Sequence, residues 1–394
     1  MASKYFDVVI IGGGIIGSSI AYFLATQENF QGSIVVIEKD PSYTQCSTTL
    51  SVGGIRQQFS TPENIEISKF GAHFFKSIDK YLAVDNSVPD ISFHQAGYLF
   101  LATERGFSIL KSCYELQRSL GVDTEFLSPN RLKKRFDWLR VSDLAAGSYG
   151  LNNEGWIDPY SLLMAFIRKA RAAGVTYLKG EVVGIDRDKN IVTGVRLAID
   201  DKIAGKYVVN AAGIRAAEVA KMAAIDDLPV RPRKRFVYSF HCRSKIPHCP
   251  LVIDPSGVYF RPEGDNFICG VSPPEENDPD CLDFEMDYFL FDEVIRPVLA
   301  HRVPQFESIK RGRCWAGHYA FNIKDQNAIV GSHPEVKNFY FANGFSGHGL
   351  QQSPAVARAI SELITFGTYQ TLDLSKFSFE RFSSGLLVKE INVV

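Results

Sequence analysis

Neither sign of charge is in surplus in this chain: 43 Lys and Arg oppose 44 Asp and Glu, a formal net charge of -1 over 394 residues. No global field therefore draws it to a polyanion, and nucleic acid is not an expected partner. A long unbroken apolar run is also missing. The stretch from Val8 to Ala25 is cut by Gly12-Gly13-Gly14 into pieces that suit a buried strand and a helix rather than a membrane span. Cysteines are few and unpaired in number, seven at scattered positions, which excludes a disulfide scaffold and points to free thiols in a reducing compartment. The first strand-like segment follows the start of the chain without a signal peptide or an Arg-rich presequence. The expected location is therefore cytoplasmic, with a membrane surface or the mitochondrial matrix open to a processed chain. Internal repeats and low-complexity linkers are absent. The cluster His241, Cys242, His248 and Cys249 fits no common zinc spacing, and adjacent His-Cys pairs on a strand point to opposite faces, so no metal is expected.

What remains is length and a recurring pattern. A chain of 394 residues exceeds one ordinary core and can enclose a large cofactor. It opens with a strand from Asp7 to Ile11, a glycine turn, a helix from Ile15 to about Ala25 and a strand from Ser33 to Glu38, a βαβ unit of a parallel sheet covered on both faces. A helix is expected from Thr61, with Pro62 at its first position and an apolar stripe of Ile67, Phe70, Phe74, Ile78 and Leu82. A strand is expected from about Ile91 to Leu101. Another helix follows Asp158-Pro159, then strands from Val175 to Leu178, Glu181 to Ile185 and Tyr207 to Asn210. From about Val230 to Cys314 the text turns to strand-like pieces with prolines and aromatics. Near the end a strand, a Gly-rich turn and a helix from about Pro354 restore the opening pattern. The expectation is an α/β (α+β two-domain) fold. A Rossmann-like domain of residues 1-85, 146-228 and 320-385 interleaves with an antiparallel-sheet substrate domain of 86-145 and 229-319, with 386-394 as a C-terminal tail.

Gly12-Gly13-Gly14-Ile15-Ile16-Gly17 satisfies G-x-G-x-x-G between an apolar strand and a helix, and Glu38 falls 21 residues after Gly17 at the end of the next strand. Gly12, Gly14 and Gly17 let the backbone turn close to a pyrophosphate, and the helix N-terminus supplies N–H donors. Glu38, followed by Lys39, can accept the ribose hydroxyls. Glycines alone do not decide between FAD and NAD.

The segments DVVIIGGGIIGSSIAYFLA, VVIEKD, GWIDPYSLL, EVVGID, VVNAAGIRA and GFSGHGLQQSPAVARAISELI resemble, over nearly the full chain, the D-amino-acid oxidase/sarcosine oxidase (DAO) superfamily of FAD-dependent oxidoreductases. Within it, STTLSVGGIRQQFS, WAGHYAFNIKDQNAIVGSHP and FANGFSGHGLQQSP are most similar to the branch that includes a flavoprotein assisting assembly of mitochondrial complex I. The resemblance implies an FAD-binding domain, with Val182 or Val183 near the adenine and Ala211-Ala212-Gly213 near the diphosphate. Ser47, Thr48, Ser51, Gly53 and Gly54 form a pliable segment along the diphosphate and flavin. In Gly344, Phe345, Ser346, Gly347, His348, Gly349 and Leu350, backbone N–H groups before the helix can face the flavin edge where negative charge gathers. His348 adds to that field or makes a local hydrogen bond.

The resemblance also implies amine oxidation, in which a hydride passes from the carbon next to nitrogen to flavin N5 and water hydrolyses the imine. Such a site needs a cation for the substrate carboxylate. The arginine of D-amino-acid and glycine oxidases is replaced within Gly317-His318-Tyr319, and the lysine of sarcosine oxidase is replaced by Gln351. Arg56 approximates the remaining sarcosine-type arginine and is the first choice, against a structural arginine paired with a loop acid. Tyr319 turns its hydroxyl to the amine or packs in the core. Tyr259 and Arg261 are further substrate candidates, with Arg261 before Pro262 equally suited to a strand end. Non-covalent FAD is expected, because the histidine of dimethylglycine-dehydrogenase-like relatives falls at Leu50 and the sarcosine-oxidase cysteine falls near His318, not at Cys314. The lysine that helps oxygen react in sarcosine oxidase falls near Ile268. That loss favours a dehydrogenase passing electrons to a protein or quinone over an oxidase using oxygen. Three functions follow: oxidation of a secondary or N-substituted amino acid, a flavin-binding assembly factor for a respiratory complex, and a 2-hydroxyacid dehydrogenase with His318 or His348 as base.

Overall fold

The computed structural model describes residues 4–199 and 201–391. The apolar strand Lys4–Ile11 lies inside a parallel sheet because both of its faces are covered. Val8 and Ile10 turn to a helical layer, and Val9 and Ile11 turn to the opposite side. It is flanked in parallel by Ile34–Glu38 and Lys202–Asn210. Thr176–Lys179 extends the first edge, and Phe339–Asn343 the second, with Ile329–Ser332 antiparallel beyond it. The helices Ile15–Ala25, Pro159–Ala172 and Gly349–Phe366 pack on one face; the helix Ala216–Met222 and the hairpin of Val182–Asp188 and Ile191–Leu197 cover the other.

The second sheet runs in the order Lys310–Asn322, Val230–His241, Asn266–Gly270, Tyr259–Glu263, Leu251–Ile253, Tyr98–Ala102, Ala146–Gly150, Thr124–Leu127. Its neighbours are antiparallel except where Leu251–Ile253 meets Tyr98–Ala102, the seam between two excursions of the chain. Phe240, Phe260, Phe267 and Phe306 interlock in the core beneath it. Ala146–Gly150 belongs to this sheet, so the chain returns to the first sheet after Gly150 rather than at 146; Lys310–Asn322 likewise keeps it in the second sheet past 319. No described helix is long and apolar enough to cross a membrane.

Three elements differ from the sequence expectation. The strand expected from Ile91 starts at Tyr98, because Ser92 and Gly97 have positive φ (48° and 87°) and His94 makes only an isolated bridge to Trp156. The helix Pro62–Lys76 stops at Ser77 and the stripe resumes in the short helix Ile78–Leu82. The last long helix begins at Gly349, ahead of Pro354. A proline there leaves the Leu350 carbonyl without its helical N–H, and the Ser353 hydroxyl donates to that carbonyl at 2.9 Å instead.

The tail is anchored. Buried Glu390 accepts from Ser60 N at 2.8 Å, Ser60 Oγ at 2.5 Å and Asn64 Nδ2 at 3.1 Å, at the start of the helix Pro62–Lys76. This arrangement satisfies donors and complements the helix dipole. Glu390→Ala is expected to destabilise the protein by about 1–3 kcal/mol by leaving buried donors unsatisfied, seen as a lower midpoint in denaturant unfolding.

Candidate functional site

The glycine turn is closely enclosed. Gly12 has φ +100°, and a Cβ there would lie 2.4 Å from the Ala211 carbonyl oxygen; a Cβ on Gly17 would lie 1.9 Å from that of Gly12. The first helix thus starts against its strand, as close approach to a pyrophosphate requires. Gly14 precedes the helix without a side-chain cap, and the Thr48 hydroxyl accepts from Ile15 N at 3.2 Å. Glu38 is fixed at its strand end, Oε2 accepting from Gly13 N and Oε1 from Asp40 N, both at 2.8 Å.

Beside this turn opens a cleft of about 450 Å³. Gly12, Gly14, Ile15, Ile16, Glu38 and Lys39 line its first end, with Ser47, Thr48 and Ser51 along the side. Val182, Ala211, Ala212 and Gly213 form another wall, and Phe345, Ser346, Gly347, Gly349 and Leu350 the far one. The geometry fits a dinucleotide: a glycine cradle that a side chain would fill, a helix N-terminus and a fixed carboxylate. Seven expected cofactor residues are absent from the cleft walls: Gly54, His348 and Gln351 line a smaller chamber beside it, and four line neither cavity. Val183 is 49 % exposed on the outer side of its strand. Gly17 lies behind Gly12. At Gly53 a Cβ would lie 2.2 Å from the Ile157 carbonyl oxygen, and Gly344 packs against Asn322 and Val230.

The walls also contain Leu282 and Phe284, which carry no local cofactor signal. Their loop is fastened to the strand Val230–His241 by Arg233–Asp280 at 3.0 Å, Lys234–Asp283 at 2.7 Å and Arg235–Asp278 at 2.7 Å. The basic run Arg231-Pro-Arg-Lys-Arg235 facing an acidic segment was the available clue.

A smaller chamber of about 70 Å³ adjoins the cleft, sharing Ser47, Ser51, His318, Tyr319, Gly347 and Leu350 with it. Arg56, Tyr98, Arg235, Tyr259, His348 and Gln351 complete much of its wall. Arg56 is 2 % exposed. Its backbone N–H donates to Gln351 Oε1 at 2.8 Å, Nη1 donates to the Gln58 carbonyl, and Nη2 donates to His348 Nε2 at 3.2 Å. The guanidinium lies 3.9 Å from the centre of the Phe59 ring, a stacked, partly desolvated setting for a cation. Burial lowers the Arg56 pKa from its ordinary value.

Burial first, then the Arg56 charge, pushes His348 down to about 3. His348 is therefore neutral at physiological pH, and its ring serves as an acceptor for Arg56 rather than a source of positive field. Gln351 holds the Arg56 backbone. Burial raises Tyr98 to about 12 and also raises Tyr259 and Tyr319, so all three hydroxyls stay protonated. A Cβ on Gly347 would fall 2.5 Å from the Tyr319 ring.

Arg261 lies outside both cavities. Its Nε and Nη2 donate to the Val52 carbonyl at 3.1 Å and 2.7 Å, and it pairs with Glu263. It braces the 47–54 segment through Val52. Trp315 Nε1 braces the same segment through the Leu50 carbonyl at 2.9 Å. Arg235, absent from the sequence candidates, lies 5.0 Å from the Tyr319 ring centre and is bound at both Nη atoms to Asp278. Leu50 lines the chamber, while Cys314 lies outside both cavities and donates to the Gly312 carbonyl at 3.5 Å. Acid precipitation of the yellow protein is expected to leave the flavin in the supernatant; flavin retained in the pellet would show a covalent bond. Cys242 and Cys249 donate to the carbonyls of Gln305 and Pro250, and among the described residues no group of three or more His, Cys, Asp or Glu could hold a metal ion.

The family model for FAD dependent oxidoreductase (DAO) matches residues 7–363. FAD-dependent oxidoreductase domain-containing protein 1 of Xenopus laevis is 47% identical, covering 98% of this chain and 85% of that protein. Monomeric sarcosine oxidase of Bacillus sp. (strain NS-129) is 25% identical, covering 96% of this chain and 97% of that protein. Among solved structures, L-proline dehydrogenase from P. horikoshii superposes with a TM-score of 0.87 at 29% identity, over 98% of this chain and 100% of that one.

Proposed function

Because the chain belongs to the DAO family of FAD-dependent oxidoreductases, we propose that it oxidises the C–N bond of an amino acid, one with a secondary or N-substituted amine. The supporting observation is a buried arginine in a chamber that shares lining residues with the adjoining cleft. The names of two relatives, a sarcosine oxidase and an L-proline dehydrogenase, agree with such a substrate.

The cleft residues around Gly12, Glu38, Thr48 and Ala211 would hold FAD, which supplies a two-electron acceptor when bound. Arg56 would take the substrate carboxylate, with Gln351 holding its backbone and Gln58 and neutral His348 keeping the guanidinium in place. The substrate nitrogen would face Tyr98, Tyr259 and Tyr319, which line the same chamber and whose protonated hydroxyls can accept from or donate to it. The substrate C–H leaves with its electron pair, so no strong base is required of the chamber. That distinguishes the proposal from a 2-hydroxyacid dehydrogenase, which needs a base: His348 is held at about 3 beside Arg56, and burial also lowers His318.

We place the protein in the cytoplasm or the mitochondrial matrix, with a quinone or a protein as electron acceptor. The test is to mix the yellow protein anaerobically with a panel of N-methyl amino acids, primary amino acids and 2-hydroxyacids and to follow flavin absorbance. Rapid bleaching by an amine supports the proposal. Bleaching by hydroxyacids alone, or by nothing in the panel, rejects it; the latter result favours a flavin-binding assembly factor.

A further inference from the structure

Glu154 has no part in the chemistry above, yet it is wholly buried beside the chamber, in the turn between Ala146–Gly150 and Gly155–Trp156. A carboxylate removed from water requires donors, and its donors are the two residues after Arg56. Gln57 N donates to Oε1 at 2.5 Å and Gln58 Nε2 donates to Oε2 at 2.8 Å. Gln58 is fixed further by the Tyr98 carbonyl at 3.0 Å and the Ser148 hydroxyl at 2.7 Å, and its own carbonyl accepts from Arg56 Nη1. Space is reserved for the carboxylate, since a Cβ on Gly150 would lie 1.8 Å from Oε2.

Among the described residues, the charged and titratable groups coupled to this pair include Tyr98, Tyr149, Cys113, Tyr319, His348 and Glu390. Arg56 acts on Glu154 electrostatically, and Tyr98 and Tyr149 face it from neighbouring strands as neutral phenols raised by burial. His348 meets Arg56 as a neutral ring, while Glu390 and Tyr319 act on Arg56 from the tail and from the strand Lys310–Asn322. Burial lifts the Glu154 pKa to about 7, against its two hydrogen bonds and the Arg56 charge.

We propose that Glu154 is a titrating counter-charge of the Arg56 site: with Glu390 it contributes to balancing Arg56 when no anion is bound, and it takes up a proton when a carboxylate-bearing substrate arrives. This rests on the reading of Arg56 as the carboxylate's partner. An incoming anion takes over the balancing of Arg56 and is a like charge to Glu154, and both effects favour the protonated acid. Below the free-state pKa Glu154 is already protonated, so binding is insensitive to pH. Above it each bound anion brings a proton in, and affinity falls by up to about tenfold per pH unit until the pKa of the complex is reached.

The experiment uses the holoenzyme, acetate as the probe and acetamide as its uncharged control. Calorimetric titration in phosphate and in Tris gives the number of protons exchanged. The expected uptake is a fraction of a proton per acetate at pH 7 and a larger fraction at pH 8, with weaker binding at pH 8 and no proton exchange with acetamide. In Glu154→Gln the uptake should disappear and acetate affinity should become flat between the two pH values, a change that a purely structural role would not produce. Acetate binding without proton exchange in the unaltered protein overturns this inference alone. Uptake that survives in Glu154→Gln would assign the proton to another group and overturns it too. No acetate binding at either pH overturns the carboxylate-site reading and this inference with it.

Discussion

Gly17→Val should yield a colourless protein. A Cβ at Gly17 would lie 1.9 Å from the Gly12 carbonyl oxygen, and Gly12 is itself 2.4 Å by the same measure from the Ala211 carbonyl oxygen. These contacts are with backbone, so they cannot be relieved by rotating a side chain. The first helix would have to move off its strand, displacing the Ile15 N–H and the Gly13 N–H that now meet Thr48 and Glu38. Overpacking of this kind costs about 1–3 kcal/mol or more, and here it falls on the groups that would hold the diphosphate. FAD affinity should drop by about a hundredfold or more, equivalent to about 2.7 kcal/mol. Absorbance of the purified protein near the flavin band and the thermal shift on adding FAD measure this. A folded, yellow Gly17→Val protein would show that the turn is not the cofactor's seat.

Arg56→Ala should weaken carboxylate-bearing substrates by about 2–5 kcal/mol, the usual loss when one partner of a desolvated charge pair is truncated. Amines that lack the carboxylate should lose little, and this difference identifies the cause. The side chain also stacks on Phe59 and donates to Gln58 and His348, so some loss of stability is expected as well. Arg56→Lys separates the two effects. It keeps a charge but not the fork that meets Gln58 and His348 together, and it should recover part of the affinity while remaining weaker than the natural residue. Equal apparent affinity for carboxylate substrates in the unaltered and Arg56→Ala proteins would remove Arg56 from the substrate site.

Much of the cofactor end was legible because its signals are local. A strand, three glycines, a helix start and a strand-end acid lie within 38 residues, and each has a direct backbone consequence. The substrate end was less legible because its geometry is assembled across the chain. Arg56 could be singled out, yet its supports, Gln351 and His348, come from the turn and helix start almost 300 residues later. Tyr98 enters the chamber from a strand whose start depends on the positive φ at Gly97. Arg235 and Arg261 are both arginines on strands of the second sheet, and only the fold shows that one lines the chamber while the other holds the Val52 carbonyl. Glu154 precedes a Gly-Trp pair with nothing nearby to mark it as buried; its donors lie almost 100 residues earlier. Glu390 reaches the helix start at Ser60 from 330 residues away, a contact that no periodicity or capping motif could signal.

The most direct test of the proposed chemistry is anaerobic stopped-flow reduction of the protein-bound flavin by N-methylglycine and N-methyl-L-amino acids, compared with the matching amines without a carboxylate. The proposal expects at least one N-methyl amino acid to bleach the flavin rapidly and saturably, its amine counterpart to act far more weakly, and Arg56→Ala to erase the difference. A flavin that stays oxidised with every carboxylate-bearing amine, or that is reduced equally well by the amines alone, would contradict it.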